Sequence, residues 1–512
     1  MEWQKPMSYL RGPDRNQTQL LPPCLEDYVE ANAPARFIDE FVETRDLKGL
    51  GFMRAEAAVT GRPGYDPADL LRLYLYGYLN RIRSSRRLET EANRNLELMW
   101  LLRGIRPDFK TIADFRKDNH AAFKPLFRQF NLLCRKLNLF GAELVAIDGA
   151  KFKAVNNSRR HYTPEELQEL LQKVNTRIDE YLNQLDQSDA EAQGVAGAPT
   201  AAELKDKMAQ LKERKETYEQ LVEQLKEKQQ SELSLTDPDS REMKKVGIGY
   251  NVQVAVDSKA HLIVEAEVVQ SANDRNQLSS MAAAAQAQLE VQNLKVVADA
   301  GYHEATELEN CEKAGLETYV PDTGKTSGQS RDGKKVFPKE AFVYQAEQDQ
   351  YRCPAGQVLT AGHVSQSRGK DRIIYYNRSA CGECPLKAQC TSAKYRAIYR
   401  RTNEAIVDRQ TERLAAHPEI MKQRKTIVEH VFGTLRNWNH DHFLMKGLEK
   451  VRGEFSLSAL TYNLRRVLSL FSISELMIKM SNEVKNRGAR ACESSVGPPA
   501  SSPGAVKTLQ RR

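Results

Sequence analysis

Three short apolar runs, each ending in an aspartate, constrain the fold of this chain more than any other feature. The runs are VAID, VAVD and VVAD, and they end at Asp148, Asp257 and Asp299. Short runs of β-branched and apolar residues bounded by turn residues are typical of buried strands. A carboxylate at the end of a buried strand is costly to desolvate, so each aspartate needs either a structural partner or a function.

The segments around these runs predict an alternation of strands and helices. ELVAIDGAKFKAVNN predicts a strand containing Asp148, a turn and a second strand. GIGYNVQVAVDS and HLIVEAEVVQ predict a hairpin that turns at DSKAH. A helix follows, with Asn273 or Asp274 as its N-cap, and then the strand that ends at Asp299. The pattern predicts an α/β fold with a central mixed sheet flanked by helices.

This order predicts that Asp148 and Asp299 end neighbouring strands, where open α/β sheets bind ligands. A helix over residues 418–438 would bring Glu429 to the same edge. Three carboxylates suit Mg²⁺ (or Mn²⁺). Two such ions about 4 Å apart can activate an attacking oxygen and stabilise a leaving oxygen at a phosphodiester. Asp257 precedes Ser-Lys-Ala in a predicted tight turn and is interpreted as structural.

The helix with Glu429 also carries cations. Lys425 and Arg436 share the face of Glu429, whereas Val428, Val431 and Leu435 form an apolar face that would pack on the sheet. A carboxylate between two cations suits a site that holds metal and phosphate together. A plain surface ion pair between Lys425 and Glu429 has the same spacing and stays an alternative.

Two regions have helical periodicity. Residues 15–140 predict an all-α N-terminal domain, and residues 163–232 predict an antiparallel helical hairpin inserted between the predicted strands. Basic residues cluster in the first region, and Lys110, Arg116 and Lys117 are predicted to be exposed. That pattern suits a DNA-docking module, but a helical bundle with a solvated basic face fits equally well. The tail at 486–512, basic and rich in Gly, Ser and Pro, predicts disorder.

Residues 322–400 predict an irregular insertion that contains a cysteine cluster. One C-x₂-C pair and two outlying cysteines could bind structural Zn²⁺, with His363 as an alternative ligand and free thiols as the competing interpretation. The four cysteines are Cys353, Cys381, Cys384 and Cys390.

Composition excludes several classes of protein. No stretch approaches the ~18 apolar residues of a membrane span, and the polar N-terminus lacks the apolar core of a secretion signal. Eight cysteines in 512 residues do not form a disulfide scaffold, which favours a reducing cytosol. The net charge of +8 suits a polyanionic partner without requiring one.

Five blocks in order along the chain closely resemble those of DDE transposases from bacterial insertion sequences: VAIDGAKFKA, TDPDSREMK, GYNVQVAVD, VVADAGY and RKTIVEHVFGTLRNW. PDFKTIADFR resembles the helical N-terminal domain of one branch of that family. The resemblance covers about residues 15–470. It implies an RNase H-like catalytic core over 141–470, interrupted by the insertions at 163–232 and 322–400, behind a DNA-binding domain at 15–140.

The resemblance also implies residue roles. Asp148, Asp299 and Glu429 match the catalytic aspartate, aspartate and glutamate, which would bind two Mg²⁺ ions. The implied reaction is cleavage at element ends followed by strand transfer into target DNA. Around the glutamate the family often has a tyrosine, an arginine and a lysine. This chain lacks the tyrosine, and its candidate phosphate-binding residues are Lys422, Lys425, Arg436, Arg424 and Lys151.

The implied partners are double-stranded DNA, as terminal inverted repeats and as target, and a second copy of the chain in a homodimer on DNA. The implied location is the bacterial cytoplasm, at the nucleoid, with no membrane contact. Two other functions stay open. One is a non-catalytic or inactivated element-derived DNA-binding protein, and the other is a plain metal-dependent nuclease.

Overall fold

A computed structural model describes residues 24–480, except for 58–59, 61–62, 157–159, 191–200, 228, 323–334 and 368–369. The predicted disordered tail at 486–512 lies outside the described residues. The chain divides into two compact units: residues 1–118 with 467–512, and residues 119–466. The α/β class is confirmed. Within the described residues, no helix is both long and apolar enough to cross a bilayer.

The described part of residues 24–118 is helical. Its helices are α1 Pro34–Glu43, α2 Pro67–Leu79, α3 Ser85–Arg94, α4 Leu96–Leu101 and α5 Phe109–Asp118. The Asp66 side chain caps α2 by accepting a hydrogen bond from the backbone N–H of Ala68, and Pro67 occupies the first turn.

One prediction for this unit is wrong, because Arg116 is buried rather than exposed. Its Nη1 atom donates to the carbonyl oxygen of Arg83 at 3.1 Å, and its guanidinium lies 5.7 Å from the centre of the Tyr74 ring. Arg83 is buried as well. Part of the basic charge of this segment therefore serves the interior of the bundle and not a DNA-facing surface.

Residues 119–466 contain most of the strands and the longer helices. The strands are β1 Leu144–Lys153, β2 His161–Tyr162, β3 Leu233–Ser234, β4 Arg241–Met243, β5 Gly247–Asp257, β6 Ile263–Val269, β7 Leu294–Ala298, β8 Leu316–Tyr319, β9 Val343–Gln345, β10 Gln350–Arg352, β11 Val358–Ser367, β12 Lys370–Tyr376 and β13 Ala397–Arg401. The helices are α6 Phe123–Lys136, α7 Pro164–Ala190, α8 Ala201–Glu227, α9 Leu278–Leu289, α10 Ala305–Lys313, α11 Arg378–Gly382, α12 Lys387–Cys390, α13 Glu404–Ala416, α14 Pro418–Asn437 and α15 Leu448–Leu470.

The six-stranded mixed sheet is the centre of this unit. Its strand order is β4-β5-β1-β7-β8, and β6 also pairs with β5. β5 runs antiparallel to β1 and β6, whereas β1, β7 and β8 run parallel to one another. The predicted hairpin of β5 and β6 is confirmed. Val145, Ala146 and Ile147 on β1 are fully buried, as are Val296 and Val297 on β7.

The predicted turn after Asp148 is wrong, because β1 continues without a break to Lys153. Gly149 pairs in register with Gln253 on β5. A Cβ atom at Gly149 would lie 2.4 Å from Gln253 Nε2 and 3.0 Å from the Tyr302 hydroxyl. The glycine is therefore required by close side-chain packing inside a strand, and not by a turn.

Helices α9 and α14 pack on the mixed sheet. The Phe152 ring on β1 contacts the Phe432 ring of α14 edge-on, with centroids 6.2 Å apart. The predicted apolar face of α14 is confirmed, since its valines and leucine are fully buried. α9 begins at Leu278 with Gln277 at its N-cap position, so the prediction of Asn273 or Asp274 as the cap is wrong.

Between β1 and β4 the chain forms the long helices α7 and α8, which pack against each other. Leu167 near the start of α7 shares a buried cluster with Leu221 and Leu225 near the end of α8, so the helices are antiparallel. At their base, β2 pairs with β3. Whether this segment is an insertion relative to other family members stays a prediction.

Strands β9 to β13 form a second, antiparallel sheet in the order β13-β12-β11-β10-β9. The prediction that residues 322–400 are irregular is therefore wrong for the described part of that segment. The core of this sheet is small and partly aromatic, with Phe342, Tyr351, Leu359, Tyr375 and Ile398 buried. Most of its strand residues are half-buried or exposed, and apart from IIYY in β12 its strands carry no apolar run of the length from which strands are predicted.

Candidate active site

Asp148 and Asp299 lie on neighbouring strands of the mixed sheet. β1 and β7 are parallel, with Ile147 opposite Ala298, so the next residue on each strand is one of the two aspartates. Asp299 directly follows β7, and its carboxylate accepts a hydrogen bond from the Gly301 N–H at 2.8 Å. Asp148 lies in the middle of β1 and not at its end, so that detail of the prediction is wrong.

Helix α14 brings Glu429 towards Asp148 through a shared arginine. Arg424 Nη1 lies 3.6 Å from Asp148 Oδ2, and Arg424 Nη2 lies 3.7 Å from Glu429 Oε1. Strand side chains alternate between faces, so Asp148 is on the same face of β1 as Phe152, which packs against α14. The surface-ion-pair alternative requires Glu429 to pair with Lys425. Among the described residues, Glu429 pairs with Arg424 instead.

Arg424 is a half-buried cation whose hydrogen bonds are incomplete. Its side chain is only 11% exposed, and Nη1 makes no hydrogen bond to any residue that the structure describes. At 3.6 Å and 3.7 Å its two contacts are ion pairs that are too long for good hydrogen bonds. A guanidinium in this state has donors to offer to an incoming anion.

The environment of Asp148 favours its neutral form. The pKa of Asp148 is raised from its ordinary value of 3.8 to about 6, chiefly by burial and to a smaller extent by the charges of Asp299 and Asp274. The Gly149 N–H and the Arg424 guanidinium partly oppose this rise. A desolvated carboxyl group between other carboxylates gains free energy when a cation binds beside it.

Asp274, a candidate helix cap from the sequence, is a fourth carboxylate near Asp148. Lys151 Nζ and Asn251 Nδ2 lie 3.0 and 2.8 Å from Asp274 Oδ1, and Gln253 Nε2 lies 2.7 Å from the same oxygen. The Tyr302 hydroxyl donates to Gln253. A Cβ atom at Gly149 would lie 2.8 Å from Asp274 Oδ1. The Asp274 network therefore supports the strand segment that follows Asp148.

The hydroxyl of Tyr302 is affected by the charges of the same carboxylates. Its side chain is fully buried. Burial raises the pKa of the Tyr302 hydroxyl well above 10, and the charges of Asp274, Asp148 and Asp299 add to the rise. The hydroxyl therefore lies within electrostatic reach of three carboxylates.

Two family models match the chain. Residues 23–118 match a transposase domain model (DUF772), and residues 352–468 match a transposase DDE domain model. The two matches support a DDE transposase of the insertion-sequence type. Glu429 lies inside the second match, whereas Asp148 and Asp299 lie between the two matched segments.

Other comparisons add little to this family assignment. No curated protein matches the chain. Among solved structures, the chain is similar to piggyBac transposase in a synaptic complex with hairpin DNA, determined by cryo-EM. The identity is 9% and the TM-score 0.31, over 91% of this chain and 87% of that chain, which is too weak to support a conclusion.

The DDE family uses divalent metal ions, and the donor chemistry at this site suits such ions. Carboxylate oxygens are the ligands that Mg²⁺ prefers, and the desolvated Asp148 carboxyl is the kind of group that a cation stabilises. Among the described residues, however, no three Asp, Glu, His or Cys side chains are close enough together to hold a metal ion. Arg424 lies between Asp148 and Glu429, which accounts for the separation of those two carboxylates.

The other candidate phosphate-binding residues fall into two groups. Lys422, Lys425 and Arg436 are exposed on α14. Lys151 is half-buried and pairs with Asp274. The first group is therefore accessible to a DNA backbone, whereas Lys151 contributes to the Asp274 network.

Asp257 has the environment of a structural carboxylate. It is fully buried, and it accepts backbone hydrogen bonds from Gly141, Ala142 and Lys259 at 2.9 to 3.1 Å. These bonds satisfy the carboxylate and tie the segment before β1 to the end of β5. The interpretation of Asp257 as structural agrees with this geometry.

The four clustered cysteines line one small cavity beside the second sheet. The cavity has a volume of about 20 Å³, room for about one water-sized sphere. Burial raises the pKa of the Cys390 thiol, Arg396 opposes the rise, and Cys381, Cys353 and Cys384 add to it, so the four thiols interact. His363 is not among the residues that line the cavity.

Proposed function

We propose that this protein is a DNA transposase that cleaves DNA at the ends of an insertion sequence and joins those ends to target DNA. The observation that carries the proposal is the side-by-side placement of Asp148 and Asp299 on β1 and β7, with Glu429 linked to Asp148 through Arg424. The strand order β6-β5-β1-β7-β8, in which β5 runs antiparallel to both of its neighbours and β7 and β8 run parallel to β1, supports an RNase H-like core.

In this proposal, Asp148, Asp299 and Glu429 hold two Mg²⁺ ions. The bound ions would lower the pKa of an attacking water and stabilise the negative charge on the leaving oxygen. Asp148 and Asp299 are fixed by a buried sheet, whereas Glu429 is 54% exposed and can adjust. Arg424, now between two carboxylates, would turn its free donors to the phosphate that is cut. Lys422, Lys425 and Arg436 would contact the DNA backbone beside it.

We further propose that Zn²⁺ binds at Cys353, Cys381, Cys384 and Cys390. Four thiolates are a characteristic ligand set for structural zinc. The shared cavity and the electrostatic coupling of the thiols support the proposal. Since a transposase must hold two element ends at once, we also expect a homodimer on DNA, working at the bacterial nucleoid.

The test is DNA cleavage by purified protein. The DNA that flanks the protein's own coding sequence supplies the candidate element ends, labelled and incubated with Mg²⁺ or Mn²⁺. We expect specific nicks and strand-transfer products. Asp299→Asn should bind DNA normally and cleave at least about a thousand-fold more slowly, because a metal-bound transition state loses several kcal/mol. Glu307→Gln, a matched change outside the site, is the control.

Each outcome separates the candidate functions. Nicks without joined products would indicate a plain metal nuclease. DNA binding by the wild-type protein without any cleavage would indicate a non-catalytic DNA-binding protein. Cleavage by Asp299→Asn at the wild-type rate would refute the assignment of the site.

A further inference from the structure

A cation-rich cavity lies on the second sheet, outside the carboxylate site. Its volume is about 330 Å³, and β12, β13 and the start of α13 contribute to its walls. Four cationic and two acidic side chains line it: Lys339, Arg372, Arg396, Arg401, Asp322 and Glu404. Four positive and two negative charges leave a surplus of two positive charges.

Two of the arginines face each other across the sheet. β12 and β13 are antiparallel, and Arg372 is directly opposite Arg401 in their register. Both side chains are therefore on the same face of the sheet, and both residues are half-buried. Like charges in directly opposite positions destabilise a strand pair. A half-buried arginine pair of this kind is relieved when an anion binds between its members.

The acidic side chains of the cavity have other partners. Glu404 accepts a hydrogen bond from Lys339 Nζ at 2.6 Å and another from the backbone N–H of Arg401 at 3.1 Å. Asp322 Oδ1 lies 3.7 Å from His303 Nδ1. Arg372 Nε is buried and makes no hydrogen bond within the described part of the chain. Glu404 and Asp322 therefore leave guanidinium N–H donors of Arg372 and Arg401 available to an anion.

The cavity is connected to the segment that carries Asp299. Asp322, which lines the cavity, pairs with His303, and His303 follows Asp299 by four residues. The charge of Arg401 also acts on His303. An anion bound at the arginine pair would therefore lie beside the loop that leads away from the candidate catalytic carboxylate.

We propose that this cavity binds the phosphodiester backbone of a DNA strand, with Arg372 and Arg401 gripping one phosphate from two sides. Guanidinium groups match phosphate geometry through paired N–H donors. Tyr399 lines the same cavity and is 50% exposed, two residues before Arg401 and on the same face of β13. Its ring is available to stack on an unpaired base. The proposal rests on the proposed function and specifies where the bound DNA passes.

The experiment measures DNA binding in EDTA, so that cleavage plays no part. Fluorescence anisotropy with a labelled oligonucleotide gives the affinity at several salt concentrations for Arg372→Ala, Arg401→Ala and Arg352→Ala. Arg352 is an exposed arginine on β10 of the same sheet and lies outside the cavity, so it is the matched control. We expect the two cavity variants to bind about tenfold more weakly, with a salt slope lower by about one. The Arg352 variant should behave like wild type.

Two further measurements keep the outcome clear. Without DNA, each cavity variant should melt at or above the wild-type temperature, because one of two repelling charges is gone; a marked fall would show a structural role and overturn the proposal. Unlabelled oligonucleotide should compete for binding, whereas inorganic phosphate at the same phosphate concentration should not. Equal competition by phosphate would indicate a small-anion site instead.

The result is separable from the fate of the proposed function. If Arg372→Ala and Arg401→Ala keep wild-type affinity and salt slope while the wild type cleaves DNA, this inference fails and the transposase proposal stands. If the variants lose affinity as expected but the wild type never cleaves, the DNA site stands and the catalytic proposal fails.

Discussion

The two sheets of residues 119–466 hold their charged side chains in different surroundings. In the mixed sheet, nine successive residues of β5 are buried, and the aspartates lie beside a large apolar interior. In the second sheet the core is a small cluster, and arginines and half-buried polar groups line its surface. A large core can hold a desolvated carboxylate rigidly in place, whereas a small core cannot.

The two sheets therefore differ in what stabilises and what destabilises them. The large apolar core stabilises the mixed sheet, whereas the desolvation of Asp148 destabilises it. The second sheet has about the size at which one apolar core rarely supplies enough stability, and the zinc proposed above would stabilise it. The four cysteines lie where such a crosslink would act.

The largest expected effect is the loss of zinc from the second sheet. Structural zinc contributes on the order of 10 kcal/mol to folding, so Cys381→Ser with Cys384→Ser should remove the metal and unfold this sheet. Metal analysis and limited proteolysis would show zinc loss and new cleavage within residues 335–401, with residues 144–319 still protected. Cys24→Ser, which changes an exposed cysteine outside the cluster, is the control. A zinc-free wild-type protein with a protease-resistant second sheet would contradict the prediction.

The next effect should come from Gly149→Ala in the mixed sheet. The new Cβ atom would lie 2.4 Å from Gln253 Nε2 and displace the network beside Asp148. We expect cleavage to fall about a hundred-fold, because small displacements at an active site are costly, and stability to fall by about 1–3 kcal/mol.

Gly433→Ala on α14 is the matched control, because nothing lies within 4 Å of its added Cβ atom. It should keep full activity and gain up to about 1 kcal/mol of helix stability. Equal effects of the two substitutions on cleavage would show that packing around Gly149 does not position the site.

Asp148→Asn should stabilise the metal-free protein while abolishing cleavage. The folded pKa of Asp148 is about 6, against an ordinary value of 3.8, a difference equivalent to about 3 kcal/mol. Because the folded pKa is raised, the contribution of this group to stability is fully present below about pH 4 and is lost as the pH rises through 6. In EDTA, the asparagine variant should therefore exceed wild type by up to about 3 kcal/mol at pH 7.5 and match it at pH 4. Denaturant unfolding at both pH values measures this; a variant less stable than wild type at pH 7.5 would contradict it.

The smallest effect on function should come from Asp257→Asn. Its carboxylate accepts three backbone N–H groups, so the substitution should cost about 1–3 kcal/mol. Cleavage by the folded fraction should stay at the wild-type rate. Urea unfolding and the nicking assay together separate this structural aspartate from Asp148, and a loss of cleavage without a loss of stability would reverse the assignment.

Sequence patterns predicted the mixed sheet well because its strands are continuous apolar runs. The strand before Asp299, the hairpin of β5 and β6 and the apolar face of α14 all follow from periodicity. The turn after Asp148 was predicted wrongly because glycine inside a strand and glycine in a turn look alike in sequence. Only the neighbouring Gln253 and Tyr302 side chains show why this glycine is there.

The remaining features depend on contacts that no local pattern encodes. Asp274 has the spacing of a helix cap, yet its partners Lys151 and Asn251 come from other strands. The second sheet is hard to predict because most of its strands are short and polar residues interrupt their apolar ones. One signal was available in the sequence: IIYY at residues 373–376 is a short run of β-branched and aromatic residues, which is typical of a strand.

The short pairing of β2 with β3 has a consequence for how this chain can vary. His161 lies opposite Ser234, and its ring contacts Glu232 at 2.8 Å, so the chain returns to within one strand spacing of its departure point. The arm made by α7 and α8 therefore leaves and rejoins the rest of its unit at one narrow base. A change in the length of the arm beyond this base need not alter the path of β1 or the position of Asp148.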